Sequence, residues 1–187
     1  MSTLTASNAA LLLLDIQPGI VDNSHTQSAR LLKLAASVSV KAAGVLGIPA
    51  FVSVVPMGPE APEPVSELKG LPLFARQHAG SFDQPSIREA LAATGRKTLA
   101  IGGVVSEVAV LHGALTAIRE GYTVHVLVDC CGGLTERTEQ AAFRQIERAG
   151  GLLSSVASFY TQIAGDFTKS EGQQVLGLLR GLMAKES

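Results

Sequence analysis

Asp15 is the residue of this sequence whose position points most directly to chemistry. It ends the continuous apolar run 9–14, and the chain-breaking pair Pro18-Gly19 follows within four residues. A carboxylate at the end of a buried hydrophobic segment lies where desolvation and neighbouring charges can tune its pKa for acid or base catalysis. Aspartate is also common in turns and helix caps. Position alone leaves both interpretations open.

The segment 102–107 begins with two glycines but does not match a nucleotide-binding loop. It lacks the spacing of a Walker loop and the GxGxxG fingerprint of dinucleotide-binding folds. A helix beginning there would present free backbone N–H groups, which can stabilise an oxyanion without any particular side chain. Within the segment Ser106 is predicted to be a helix N-cap rather than a nucleophile, because no GxSxG motif surrounds it.

The histidines and cysteines do not form the pattern of a metal site or of a disulfide framework. No acid lies at metal-ligand spacing from His78, His112 or His125, so we expect no metal and no other cofactor. Cys130 and Cys131 are adjacent, which excludes an ordinary disulfide framework and favours buried structural thiols in a reducing compartment. The N-terminal apolar stretch lacks a basic flank and a cleavage site, so the cytoplasm is the expected location.

Alternating strands and helices must position these residues. Hydrophobic pattern and chain breakers predict strands at 9–14, 50–55, 98–101, 123–128 and 152–155, and helices at 28–45, 84–93, 107–120, 135–150 and 171–183. This order predicts a three-layer α/β/α Rossmann-like fold around a central parallel sheet of about six strands. Ligands then bind beyond the carboxyl ends of the strands, at the loops 15–19, 102–109 and 129–134.

Composition narrows the class of protein further. The 187 residues fit one domain, 1–187, and the chain is 47% hydrophobic but only 17% charged, which favours a homo-oligomer. A net charge of −1 without basic clusters makes nucleic acid an unexpected partner, and no run is long enough to span a membrane. A small-molecule substrate is therefore expected. The proline-dense loop 56–64 is either a lid or oligomer contact, or a plain connector.

Four stretches carry recognisable motifs: Leu13-Leu14-Asp15-Ile16-Gln17, 75–82 (Ala75-Arg76 through Gly80-Ser81-Phe82), Gly103-Val104-Val105-Ser106-Glu107-Val108-Ala109-Val110, and 121–129. Together they resemble the isochorismatase-like hydrolases, the cysteine hydrolase superfamily of amidases, nicotinamidases and N-carbamoyl amide hydrolases. With the helices between them they cover roughly three quarters of the chain, and the paired DxQ and GVVSEVxV patterns are specific. In particular, the chain resembles a subgroup of bacterial hydrolases that has arginine in place of the usual lysine.

The resemblance implies a catalytic set of an aspartate, a basic residue and a cysteine, which correspond here to Asp15, Arg76 and Ala109. Alanine thus stands at the nucleophile position, and its methyl group cannot attack a carbonyl carbon. The resemblance also implies a cis peptide between residues 104 and 105, and an oxyanion hole formed by the backbone N–H groups of Val105 and Ala109. Substrate contacts are expected from Gln17, Phe82 and Val104, with packing in the core as the alternative for Phe82.

Three functions remain open at this point. In the first, Ala109 replaces a cysteine of a parent amidohydrolase that acts on a small amide or carbamoyl C–N bond, and this chain is inactive. In the second, alanine is natural and Asp15, as a proton donor, hydrolyses a vinyl ether in the manner of the isochorismatases without cysteine. That route needs a raised pKa at Asp15, which a charged Arg76 opposes. In the third, the protein is a non-catalytic binding or scaffold protein.

Overall fold

Six parallel strands form the central sheet of the computed structural model, which describes residues 4–183. In chain order they are β1 (Ala9–Leu14), β2 (Ala50–Val54), β3 (Leu73–Ala75), β4 (Thr98–Val104), β5 (Thr123–Gly132) and β6 (Leu152–Ser154). The principal helices are α1 (Ala29–Val45), α2 (Pro85–Ala93), α3 (Leu111–Arg119), α4 (Glu136–Arg148), α5 (Val156–Ala164) and α6 (Ser170–Met183). Within 4–183, no helix combines the length and the apolar character needed to cross a membrane.

Strand β1 lies at the centre of the core and is buried along its whole length. Leu11 and Leu13 pack on the face covered by α1, α5 and α6, whereas Leu12 and Leu14 pack on the face covered by α2, α3 and α4. A strand covered on both faces needs apolar side chains at every position, which is why this segment is a continuous apolar run. The predicted three-layer α/β/α architecture is confirmed.

The strand order places a crevice at the end of β1. The strands lie in the order β3-β2-β1-β4-β5-β6, so the chain first adds strands on one side of β1 and then returns to its other side. Leu14, the last residue of β1, pairs with Ser53 of β2 and with Gly103 of β4. In open parallel sheets ligands bind where the strand order reverses, beyond the carboxyl ends of the strands. Here that point lies between β1 and β4.

Two strands are longer than predicted, because their glycines and cysteines continue the sheet. Strand β4 runs through Gly102 and Gly103 to Val104, and β5 runs through both cysteines to Gly132. A side chain at Gly103 would overlap the carbonyl group of Leu14, and one at Gly102 would press on the backbone of Cys130. The glycines thus permit close approach of neighbouring strands. The segment 129–134, predicted as a loop, is therefore mostly strand.

Two elements were absent from the prediction. Strand β3 has only three residues and lies at the sheet edge beside β2, so it is too short to show an alternating pattern. Helix α5 follows β6 directly, and the Ser155 side chain caps it by accepting from the N–H of Ser158. The sequence pattern predicts Ser155 as the last residue of a strand, whereas in the structure the strand ends at Ser154 and Ser155 caps the helix.

Replacing Gly103 by alanine is expected to destabilise the protein by about 1–3 kcal/mol, because the new methyl group meets backbone rather than a movable side chain. Gly177→Ala is the matched control: Gly177 is exposed inside α6 with open space around it. There alanine should stabilise by about 0.5–1 kcal/mol through its better helix propensity. Urea denaturation measures both changes, and a Gly103→Ala chain as stable as the starting protein would contradict the close approach.

Candidate active site

A cleft of about 430 Å³ lies at the carboxyl ends of β1 and β4. The three residues predicted as the catalytic set, Asp15, Arg76 and Ala109, all line it. The other lining residues come from the loops after β1, β2 and β5 and from the segment after β4: Ile20, Asn23, His25, Val55, Met57, Val104, Val105, Val108 and Leu134. Positions 61 residues apart in the chain, such as 15 and 76, meet here.

Asp15 and Arg76 form a buried ion pair at this cleft. Nη2 of Arg76 donates to Oδ2 of Asp15, and Nη1 donates to the carbonyl oxygens of His78 and Ala79. The Asp15 residue is 4% exposed and Arg76 is 2% exposed. Within residues 4–183, Oδ1 of Asp15 and Nε of Arg76 have no hydrogen-bond partner. The pair therefore leaves one buried acceptor and one buried donor unsatisfied.

The backbone of Asp15 is in the left-handed region, with φ of 55°. It is the one residue other than glycine with a positive φ in the part of the chain that the structure describes. Aspartate and asparagine adopt this region more readily than other side-chain-bearing residues. The Asp15 N–H still donates to the carbonyl of Ser53 at 2.8 Å, which fixes the residue to the end of β2.

Burial raises the pKa of Asp15 from 3.8 to about 6, although Arg76 acts in the opposite direction through its charge and its hydrogen bond. The carboxylate loses more by desolvation than it gains from the guanidinium. Asp15 is thus mainly ionised at neutral pH and becomes protonated slightly below it. A residue of this kind can act both as base and as acid near neutrality.

The stability contributed by Asp15 is expected to fall as pH rises. Between 3.8 and about 6 the folded state binds a proton at Asp15 that the unfolded state has released, so the free energy of unfolding decreases by up to about 3 kcal/mol across this window. The measurement is urea denaturation from pH 3.5 to 7.5 for the chain and for Asp15→Asn. The free energy of unfolding of the chain, relative to that of the variant, should decline as pH rises. If this difference rises or stays constant, the pKa of Asp15 is not raised in the folded state.

The segment after β4 places position 109 in the cleft wall. The Val104–Val105 peptide bond is cis, and Ser106–Val110 form a π-helical turn that leads into α3. Ala109 is buried, and its N–H donates to the carbonyl of Val105 at 2.9 Å. This N–H, predicted as part of an oxyanion hole, would have to share or leave that bond in order to bind an oxyanion.

The polar residues of this segment attach it to the start of α4. The Ser106 hydroxyl donates to Glu139 at 2.7 Å in a buried contact. Glu107 accepts from the N–H of Leu134 at 3.0 Å and from the hydroxyl of Thr138 at 2.6 Å. The prediction of Ser106 as a helix cap is wrong: the hydroxyl points to α4 and caps no N–H of its own helix.

Two of the three predicted substrate contacts lie outside the cleft. The Gln17 amide donates to the carbonyl of Val55 and accepts from its N–H, both at 2.9 Å, so it connects the β1 loop to the end of β2. Phe82 is buried in the core with its ring 5.1 Å from that of Tyr122. Val104 does line the cleft.

The cysteines and the other histidines lie apart from the site. Cys130 and Cys131 are free and buried, and burial raises the pKa of both thiols. His78 and His112 border a separate cavity of about 570 Å³. Across 4–183 no three histidine, cysteine, aspartate or glutamate side chains are placed to hold a metal ion.

Sequence reasoning missed four residues that line the cleft. Asn23 and His25 follow β1, Met57 follows β2, and Leu134 follows β5. The one available signal was their place after strands whose carboxyl ends meet, which identifies loops but not individual side chains. Met57 belongs to the proline-dense loop 56–64, so part of that loop borders the cleft.

The fold and this site define the protein as a member of the isochorismatase domain family, whose sequence profile matches residues 9–158. The chain is 32% identical over 155 residues to the probable hydrolase YcaC of Escherichia coli (strain K12), covering 80% of this chain and 74% of that protein.

Two solved structures of YcaC proteins have the same fold. The Escherichia coli protein, described as an octameric hydrolase of unknown specificity, superposes with a TM-score of 0.88 at 28% identity, over 97% of this chain and 91% of the other. YcaC from Pseudomonas aeruginosa, solved with hexane-2,5-diol and covalent acrylamide, also gives 0.88 at 28% identity, over 96% and 91%. Hydrolases are thus among the relatives of this chain.

Proposed function

We propose that the cleft binds a small amide or carbamoyl compound, and that the parent form of the site is a cysteine-dependent hydrolase of C–N bonds. The observation that carries this proposal is the meeting of Asp15, Arg76 and position 109 in one cleft. Its volume of about 430 Å³ is at the lower end of the range for small-molecule sites. Family membership alone would not identify the reaction, because one fold supports many chemistries.

With cysteine at position 109, the steps follow from the groups present. The Asp15 carboxylate takes the thiol proton, and the thiolate adds to the carbonyl carbon of the substrate. The C–N bond breaks as Asp15 returns the proton to the departing nitrogen, which leaves a thioester. Water then gives a proton to Asp15 and its oxygen to the acyl carbon. The C–S bond then breaks and Asp15 returns its proton to the sulfur, so that the thiol re-forms and the acid product leaves.

The pKa of Asp15 suits this exchange. With a pKa of about 6, the Asp15 carboxylate is mainly ionised at neutral pH and can accept a proton. Because this pKa lies close to neutral pH, Asp15 can also return the proton. Arg76 holds the carboxylate in place through the buried ion pair. Because a guanidinium does not lose its proton in proteins, Arg76 orients and stabilises charge but transfers no proton.

As written, the chain has a methyl group where the mechanism needs sulfur. We propose that it binds substrates of this class but does not hydrolyse them through a thioester.

A second candidate is acid-catalysed hydrolysis of a vinyl ether, with Asp15 as the proton donor. The raised pKa of Asp15 favours it, since desolvation outweighs the opposing effect of Arg76. Its activity would increase as pH falls towards 6, and Asp15→Ala would abolish it. Turnover of isochorismate that survives this substitution would reject the candidate.

The experiment that tests the main proposal is Ala109→Cys followed by measurement of ammonia released from small primary amides. Hydrolysis by the cysteine variant supports the amidohydrolase. No hydrolysis across the panel overturns it in favour of a binding or scaffold protein.

We also propose a homo-oligomer that works in the cytoplasm. Leu73, Leu153 and Phe167 are large apolar side chains exposed outside the cleft, as expected for surfaces that pack against other subunits. The Escherichia coli relative is octameric. The two free cysteines are typical of a reducing compartment. Light scattering of the purified chain measures the mass of the assembly.

A further inference from the structure

The rim of the cleft is apolar and exposed. Six large hydrophobic side chains are exposed within the described residues, and three of them line the cleft: Met57 at 62%, Val108 at 45% and Leu134 at 45%. They come from the loop after β2, the π-helical turn and the segment after β5. Exposed apolar side chains that gather around a concave site mark a place where an apolar group binds.

The cleft has no free charge to offer. Of the lining residues described, only Asp15 and Arg76 are formally charged at neutral pH, and they neutralise each other. The Arg76 guanidinium already donates to three oxygen atoms, those of Asp15, His78 and Ala79. A carboxylate or phosphate on the ligand would enter an apolar site without a cation to pair with, which is unfavourable.

The polar atoms that remain unpaired match an uncharged head group. Oδ1 of Asp15 is an acceptor when ionised and Nε of Arg76 is a donor, and both are buried without a partner in residues 4–183. An amide carries a donor nitrogen and an acceptor oxygen on the same carbon. One unpaired acceptor and one unpaired donor are thus complementary to an amide, whereas an anion would compete with Asp15 for the same guanidinium.

We infer that the substrates are neutral amides with a short aliphatic or aromatic acyl group, and that Met57, Val108 and Leu134 determine specificity by contacting this group. The inference rests on the proposed function for the reaction, but it concerns binding. It excludes dianionic substrates such as isochorismate, and so it also separates the two candidate reactions.

The test uses calorimetric binding to the chain with Ala109, which needs no turnover. The ligands are acetamide, butanamide and hexanamide, with the anion of succinamic acid as the charged partner of butanamide. Each added methylene should tighten binding about three- to fourfold. Hexanamide should thus bind roughly tenfold more tightly than butanamide, and succinamate should bind at least about tenfold more weakly. Equal affinity across the series, or tighter binding of succinamate, overturns the inference.

Variants locate the apolar contact. Val108→Thr preserves shape and adds a hydroxyl, and Leu134→Ser removes an apolar side chain. Each should reduce the preference for hexanamide over butanamide at least about threefold. Leu153→Ser is the matched control, because Leu153 is also exposed but lies on β6 away from the cleft, and it should leave the preference unchanged.

Light scattering of the same variants tests the competing use of the rim as a subunit contact. If Val108→Thr and Leu134→Ser change the mass of the assembly and leave the amide preference unaltered, the rim is an interface and the inference is wrong. Failure of Ala109→Cys to hydrolyse amides would remove the proposed reaction but not the binding preference. The two proposals therefore fail separately.

Discussion

Ala109→Cys is expected to release ammonia from small neutral amides at a rate roughly 10³-fold or more above that of the chain with alanine. Removal of a nucleophile from a hydrolase can lower turnover by about 10⁶, so recovery of only part of this effect is easily measured. The thiol would enter a cleft whose acid–base residue and ion pair are already in place. An acyl-enzyme adduct in the mass spectrum would place the intermediate on position 109.

Two control variants test whether the gain in rate depends on the thiol and on Asp15. Ala109→Ser supplies a less nucleophilic hydroxyl and should stay near the background rate. Asp15→Asn in the cysteine variant should reduce turnover by about 10²–10⁴, the usual contribution of a general base. Asparagine is preferred to alanine because the left-handed backbone at position 15 suits it. Turnover that is unaffected by Asp15→Asn would contradict the role of Asp15.

Thiol labelling offers an internal check on this experiment. The sequence has two cysteines, and both are buried with raised pKa values. Low reactivity is therefore expected from both in the folded protein. Iodoacetamide should modify the Ala109→Cys variant once and the starting chain not at all, and loss of hydrolysis should follow that single modification.

Arg76→Met is expected to destabilise the protein by about 3–5 kcal/mol at pH 7.5, because it leaves the Asp15 carboxylate buried without its partner. Two backbone carbonyls, of His78 and Ala79, also lose their donor. At pH 5 the loss should be smaller, since Asp15 then becomes protonated. Removal of the guanidinium should also raise the pKa of Asp15 further, because Arg76 lowers it.

Arg119→Met is the matched control for this measurement. Arg119 also faces an aspartate, Asp83, but at 4.0 Å and with 71% of its side chain exposed. An exposed pair contributes little, so this variant should lose less than about 1 kcal/mol. Chemical denaturation at pH 7.5 and pH 5 measures the change in unfolding free energy for each of the two variants relative to the starting chain. Equal losses for Arg76→Met and Arg119→Met would mean that the buried pair does not stabilise the fold.

Much of the fold could be predicted because its signals are local. The apolar run 9–14 identifies a doubly covered strand, and the predicted helices 28–45 and 135–150 begin at Ser28 and Thr135, whose side chains cap α1 and α4 in the structure. The ends of β4 and β5 could not be found this way. Glycine and adjacent cysteines resemble a loop in sequence, whereas the strand there depends on how closely neighbouring backbones approach.

The candidate site, like the fold, could be predicted only in part. Asp15, Arg76 and Ala109 could be found through motif resemblance, and they meet at one cleft. Gln17 and Phe82 belong to the same motifs, yet one binds backbone and the other packs in the core. Motif membership does not reveal which face of the backbone a side chain occupies. Of the rim residues, Met57 and Leu134 belong to irregular loops, and their positions depend on tertiary contacts that no sequence pattern records.

The Glu107 carboxylate has a mechanical consequence. It connects the turn that carries position 109 to the N–H of Leu134 and to the first turn of α4. One carboxylate therefore holds Leu134 at the cleft entrance, the turn that carries position 109 and the first turn of α4, so a displacement of any one of them would strain its bonds to the other two.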